Sequence, residues 1–572
     1  MGRPDEQEFL FRHTLFQETA YRSLLRGERA DLHRSVAGAL ERAYRGNEDG
    51  VAPILAYHFQ QAGDDSRALH YLTLAAEAAA NVYANQEAVE HYQNAIQLAL
   101  RVDPDEERLI RLYTGCGRLH ELTGDFKGAI RVYETMRAKS EELGCPGMGI
   151  KARVAEDTLY SSPSAVSDHQ KAVERAQETL ELARAAGDEE SEARSLWNLS
   201  LAGFFTGDDT SSLEYGEQAL AIARRTGDKE LQAFIMNDLS RGNLYLEGQQ
   251  RRGMELMDRA IELWRELDNL PMLADSMSGK AMFAAYSGKY AKALDLAEEA
   301  LALNEEIDNP WGKSYSQYIM CMAYWDQGDY ANAIRRAEES ISWAEEAGFV
   351  VPQVHARTIQ AWTLWDLGMP RRAMEVAQQA VEFAAASLPS WLPVPLAVQI
   401  LIGLSQENAQ VDGTFEALVR RMSDPDAEIF PMARMYGKLA EASYLMVRGD
   451  HEQALERADE LADLQARLNF KNFTLDAMMV RAKAARSMGN SNQAQVWLEQ
   501  ARDLAEATGS GRMLWRILSN LSRCAQDAGQ LEKSVELKGQ ARAALAKIVE
   551  PLEAEWRASF LRAPEAAAVW TE

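Results

Sequence analysis

Aromatic side chains return at one fixed phase along this chain. Phe204, Tyr245, Trp325 and Trp365 each stand three residues before a glycine, at Gly207, Gly248, Gly328 and Gly368, and Ala285 takes that place before Gly288. Tyr315, Tyr318 and Met322 precede Trp325 within one stretch, and His355 and Trp362 precede Trp365 within the next. Such rings offer flat apolar area with little rotamer freedom to lose, and Trp and Tyr add a hydrogen-bonding tip. The chemistry they suit is non-covalent recognition of sugars, planar molecules or peptide segments, with Met282, Met320 and Met322 able to adapt the shape around them. Large side chains also fill gaps between packed helices, and both readings stand at this point.

Covalent chemistry has fewer candidates. The sole Gly-Lys-Ser, at Gly312 to Ser314, has Ile307 where a phosphate loop needs its first glycine, and Asn309-Pro310 before it reads as a helix start rather than a strand. His120-Glu121 runs into Leu122-Thr123-Gly124 and lacks the second histidine of a zinc-protease helix. Nothing matches a Gly-x-Ser-x-Gly elbow. Cys116, Cys145, Cys321 and Cys524 are too scattered for a zinc site or a disulfide framework and read as small core residues. No catalytic residue, metal ligand or cofactor is assigned, and the chain is expected not to be an enzyme.

The elements that must position the rings show in the turns. Gly207, Gly248, Gly288, Gly328, Gly368, Gly449, Gly489 and Gly529 are separated by about 40 residues, with one doubled step, the period of a helix-pair solenoid. Five residues after the turn come Gly253, Ala293, Ala333, Ala373, Ala454, Ala494 and Ser534. Twelve after it come Ala219, Ala260, Ala300, Ser340, Ala380, Ala501 and Ala541. A spacing of seven keeps both small positions on one helical face, where they form a seam for close helix approach. A second punctuation at Gly187, Gly227, Asp268, Asp308, Gly348 and Gly509 divides each unit into two helices, each about 25 Å long. Between Gly368 and Gly449 one unit lacks its glycine and carries Pro389, Trp391, Pro393, Pro395, Pro425 and Pro431, so a distorted repeat and a hinge are expected there.

These turns resemble the tetratricopeptide repeat (TPR), through Gly124-Asp125-Phe126 to Ala129, Gly288-Lys289-Tyr290 to Ala293 and Gly328-Asp329-Tyr330 to Ala333. The resemblance runs from about Asp103 to Ile548 and departs from the common 34-residue unit by about six residues. It implies an all-α, right-handed superhelical solenoid. Longer units of this kind are similar to those of large bacterial signalling proteins, including maltose-activator-like and cyclase-associated arrays.

Both ends narrow the resemblance. Phe9-Leu10-Phe11-Arg12-His13-Thr14-Leu15 with Glu18 to Tyr21, Leu24-Leu25 and Leu32-His33 resembles the segment leaving the winged-helix module of STAND proteins, the signal-transduction ATPases with numerous domains. Ala56 to Phe59, Ala62 to Asp64 and Ala68 to Leu72 resemble the helices that follow in that family, and Arg557 to Leu561 with Pro564 resembles its closing segment. The division expected is a linker segment over 1–46, atypical helical repeats over 47–102, the array over 103–548 and a capping segment over 549–572. The resemblance implies an upstream ATPase domain in the same protein and a small-molecule or peptide ligand as partners. Because the family segment begins abruptly, the chain is expected to be a fragment of a longer protein.

In TPR arrays the late part of the first helix lines the inner wall. If the phase carries over, the resemblance places Phe204, Tyr245, Tyr315, Tyr318, Trp325, His355, Trp362 and Trp365 on that wall as ligand-binding candidates.

A net charge of -26, from 61 basic and 87 acidic residues, repels phosphate backbones, and no Lys/Arg-rich arm offsets it, so nucleic-acid binding is not expected. Glu298-Glu299 and Glu338-Glu339 lie opposite the alanine seam and read as a solvated face. Without a charged-then-apolar leader or a long apolar run, neither secretion nor membrane association is expected, and a cytoplasmic location is the default. Two functions fit. One is the sensor part of a STAND regulator, in which binding inside the superhelix changes its curvature; the other is a constitutive scaffold recognising peptide segments.

Overall fold

Helix pairs fill the computed structural model, in which the described residues are 14–162, 164, 166–206, 209–406, 410–424, 427 and 429–570. Phe9 to His13, Gly207 and Pro425 lie outside them, as do the side chains of residues 14–17, 209 and 210. Among the described residues there are α-helices, two short 3-10 turns, one isolated bridge between Ser164 and Phe349, and no strand. The architecture is an all-α, TPR-like array. None of the described helices is long and apolar enough to cross a membrane.

The chain divides into two compact units, Met1–Ala152 and Arg153–Glu572. The first unit buries Leu55, Phe59, Leu109, Leu112 and Met136 in a core of its own. At the Gly124 turn, Asp125 accepts from the backbone N–H of Gly128 and caps the helix Phe126–Leu143. The second unit carries the remaining repeats.

Small residues let those repeats pack. Ala293, Ala333, Ala373, Ala454 and Ala494 are fully buried, as are Ala219, Ala260, Ala300, Ser340, Ala380, Ala501 and Ala541, while Ser534 is half-buried. At one seam the two backbones approach closely enough that Ser314 Oγ donates to the Ser340 carbonyl and Ser340 Oγ to the Ser314 carbonyl, both at 2.9 Å. A leucine at Ala333 would overfill such a seam, at about 1–3 kcal/mol.

Turn chemistry follows from backbone need. Asp268 and Asp308 adopt the left-handed conformation that glycine takes at the equivalent turns, and the next residues, Asn269 and Asn309, cap the following helices by accepting from the N–H of Met272 and Gly312. Gly312-Lys313-Ser314 is therefore the first turn of a helix, with Lys313 paired to Asp308. The proline-rich unit keeps its helix pair in shortened form: a 3-10 turn at Pro389–Trp391, then helices of 12 and 13 residues at Pro393–Leu404 and Val411–Ser423. Pro393 and Pro431 each open a helix, where a missing N–H is harmless.

Within the second unit, late repeats fasten onto middle ones. The relevant first helices are α1 (Leu270–Tyr286), α2 (Pro310–Gln327) and α3 (Val350–Asp366) in the middle, and α4 (Pro393–Leu404), α5 (Pro431–Arg448), α6 (Thr474–Ser487) and α7 (Gly511–Asp527) later. Two short helices, α8 (Ala554–Arg562) and α9 (Pro564–Trp570), follow. The ends of α1, α2 and α3 leave carbonyls without helical partners. Tyr286 O accepts from Lys471 N at 2.6 Å, Asp326 O from Ser510 Oγ at 3.3 Å and Gly368 O from Ser559 Oγ at 3.0 Å. The turn glycines are close-approach points as well: a Cβ on Gly368 would stand 2.8 Å from Ser559 O, whereas one on Gly248, Gly449 or Gly489 would meet nothing within 4 Å.

Candidate functional site

The eight ring positions singled out from the sequence fall in three groups of touching rings, Phe204 with Tyr245, Tyr315 with Tyr318 and His355, and Trp325 with Trp362 and Trp365, and other parts of the chain cover most of them. Phe204 is half-buried and meets Tyr245 and Phe430, at ring-centroid distances of 6.0 and 5.3 Å. Tyr245 is buried between Phe283, Phe430 and Phe470. Tyr315 and Tyr318 are buried with nearly parallel rings, and the Tyr318 hydroxyl lies 3.2 Å from that of Tyr286. His355 sits between Tyr318 and Trp391, where burial lowers its pKa to about 3 and keeps it neutral. Trp362 stacks on Phe473 with an interplanar angle of 7° and touches Trp325 and Tyr436.

Phe430, Phe470 and Phe473 come from the connections that lead into α5 and α6. Phe473 holds a left-handed backbone, φ 61°, an uncommon conformation for a bulky residue and one its packing must stabilise. Covering large apolar rings with other rings removes them from water, which accounts for the burial of most of these positions. Trp365 differs from the rest: it is half-buried, donates Nε1 to Ser405 Oγ at 3.0 Å and borders open space.

Next to the covered rings lies a layer of charge. Arg512, on α7, makes a bidentate pair with Asp476 at 2.9 and 2.7 Å, reaches Asp326 at 3.3 Å and lies 4.1 Å over the Trp325 ring. Burial works against its charge, but Asp476 and Asp326 outweigh burial and hold its pKa well above the usual value. Asp326 is served less well: burial raises its pKa, and Arg512 offsets that only in part. One turn further along α7, Arg516 donates to Asp366 at 2.8 Å and to Glu565 of α9 at 3.3 Å. Asp366 also accepts from Trp325 Nε1 at 3.1 Å.

This layer forms one side of a cavity of about 440 Å³. Asp366, Asp476, Arg512 and Arg516 supply its polar side. Leu401, Leu404, Leu439, Met446, Met479 and Val480 supply an apolar wall, Trp362, Trp365 and Trp515 add indole faces, and Ala563 to Ala566 close the top. The volume falls in the range of small-molecule sites, and the mix of an apolar wall with a few polar groups is what such sites use. Two of the eight aromatic candidates, Trp362 and Trp365, reach it.

Sequence reasoning missed the ionic residues. A signal was present: Trp325-Asp326 and Trp365-Asp366 repeat one dipeptide at the same repeat position, and Arg512 and Arg516, four apart, share a helix face. What periodicity within one repeat does not give is that the two sets meet.

No family model matches the chain, and no curated protein matches it. Among solved structures it is similar to a Rap protein complexed with competence and sporulation factor, at 12% identity and TM-score 0.47, over 63% of this chain and 99% of that one. It is also similar to the APC/C hetero-tetramer Cut9-Hcn1, at 13% identity and TM-score 0.44, over 96% and 99% of the two chains. Yeast Tom70 is similar at 13% identity and TM-score 0.32, over 88% and 96%.

Proposed function

We propose that the chain is a non-catalytic sensing array whose ligand site is the 440 Å³ cavity and whose response is the fastening of its late repeats onto its middle ones. One observation carries the reading: Asp366, Asp476, Arg512 and Arg516 line the cavity and also tie α7 to α3 and α6. An occupant would therefore touch the groups that hold the closure. A ligand shifts such an equilibrium only by its difference in affinity for the two arrangements, and contact with the closure itself provides that difference. In a solenoid, small rotations between units add up, so loosening α7 would alter curvature, with bending expected in the short-helix unit 389–431.

In the setting suggested by the terminal segments, the array regulates an upstream STAND ATPase domain of the same protein in the cytoplasm. A constitutive scaffold gripping peptides along its inner wall has less support, because Phe430, Phe470 and Phe473 already cover those rings. The test is a thermal-shift screen of small metabolites, followed by hydrogen exchange and small-angle scattering on each binder. The sensing reading expects altered protection in α7 and a changed scattering profile. Tight binding that leaves both unchanged would leave a binding module without a switch.

A further inference from the structure

We propose that the cavity takes an amphiphile with an apolar body and one anionic headgroup, a medium-chain or aryl carboxylate, whose headgroup replaces Glu565 at Lys483 and Arg516. This rests on the reading of the cavity as a ligand site and adds the class of ligand.

The ionic partners decide the class. Asp476 is engaged by both terminal nitrogens of Arg512, and Asp366 by Trp325 and Arg516, so each buried carboxylate at the cavity already faces a guanidinium and carries a hydrogen bond on both oxygens, which leaves a cationic guest little to gain. Glu565 is held differently. Its side chain is 57% exposed, it stands on the seven-residue helix α9, and it contacts Arg516 at 3.3 Å and Lys483 at 3.6 Å. The Lys483 pair is long and exposed on both sides and contributes little, and the 3.3 Å contact from Arg516 is secondary to that arginine's 2.8 Å bond to Asp366. Removing Glu565 leaves neither cation buried and alone, since Arg516 keeps Asp366 and the Lys483 side chain is 43% exposed. A guest carboxylate entering under α9 would meet the same two cations.

The rest of the lining agrees with such a guest. Trp515 lines the cavity together with Trp362 and Trp365, adding indole faces beside the apolar wall. Leu401, Leu404, Met446 and Met479 face the same space and would bury an alkyl or aryl body.

The test uses the full chain with 8-anilinonaphthalene-1-sulfonate as a fluorescent anionic probe, displaced by decanoate, decanol or decyltrimethylammonium below their micellar concentrations. Decanoate is expected to compete best. Glu565→Gln should tighten decanoate by about threefold to tenfold, and Lys483→Ala should weaken it by a similar factor while leaving decanol unchanged. Leu401→Trp and Met479→Phe, two independent filling variants whose folding is checked by circular dichroism, should abolish probe binding. If decanol competes as well as decanoate and Glu565→Gln has no effect, the anionic class is wrong while the cavity stands. If decyltrimethylammonium competes best, the class is inverted. If no probe binds, or the filling variants bind it as well as the parent, the cavity is not a ligand site and the reading beneath this one fails with it.

Discussion

Asp366 and Arg516 stand 150 residues apart in the chain, yet Arg516 Nη2 donates to Asp366 Oδ1 at 2.8 Å with the carboxylate almost wholly shielded from water. This pair, together with Arg512 and its two aspartates, joins helices that a simple open solenoid would keep apart. Deleting one partner of a buried pair leaves the other charge without compensation, an effect of about 3–5 kcal/mol. Asp366→Ala should therefore lower the urea midpoint clearly and raise hydrogen exchange first in α7. An unaltered exchange pattern there would mean that the pair does not fasten the late repeats.

Gly511 offers a cleaner probe of the same closure. A Cβ at this position would overlap the carbonyl oxygen of Gln327, and Gly511 is not in the left-handed region, so alanine would meet a steric obstacle without backbone strain. Gly489 presents the opposite case, a left-handed backbone with nothing within 4 Å of the added carbon. Both substitutions should destabilise by about 1–3 kcal/mol. Only Gly511→Ala should expose α7 and the end of α2 to exchange and proteolysis. Equal local exposure in both variants would contradict the docking role.

Two tryptophans one repeat apart should behave unlike each other. Trp325 is 3% exposed, supports Asp366 through its indole N–H and lies under Arg512, so Trp325→Ala should cost about 3–5 kcal/mol. Trp365 is half-buried at the cavity, so Trp365→Ala should cost clearly less and act mainly on probe binding. Thermal melts and probe titrations of the two variants side by side check this. A Trp365→Ala protein that melts as early as Trp325→Ala would assign both rings to the core.

Much of this was legible in the sequence, and the part that was not has a physical reason. Period, turn positions and the alanine seam are local properties of each repeat: Asp268 and Asp308 could be read as turns because they fall where glycine falls elsewhere. The aromatic phase of Phe204, Tyr245, Trp325 and Trp365 was also local; Phe204 meets Tyr245, whereas Trp325 meets Trp362, which lies outside that phase. What covers these rings depends on contacts between positions as distant as Phe204 and Phe430 or Asp326 and Arg512. Such contacts leave no periodic trace. Phe473 lies in a connection outside any helical phase, so nothing in the repeat pattern pointed to it as the partner of Trp362.

Histidine burial gives the array a defined response to acid. His355 is 2% exposed among aromatic rings, its Nε2 has no hydrogen-bond partner, and burial lowers its pKa from 6.5 to about 3. Between those two values the unfolded chain takes up a proton that the folded one refuses, so stability from this group is intact above about pH 6.5 and falls as the pH drops toward 3. The slope is about 1.4 kcal/mol per pH unit for one proton. His169, lowered to about 4 by burial, adds a second contribution over a narrower window. Urea unfolding at several pH values between 7.5 and 4.5 should show His355→Leu losing less stability on acidification than the parent, by about one proton's slope, with the His169 share remaining. Parallel stability profiles for the two proteins would show that His355 is protonated in the folded state and that the ring cluster around it is open to water.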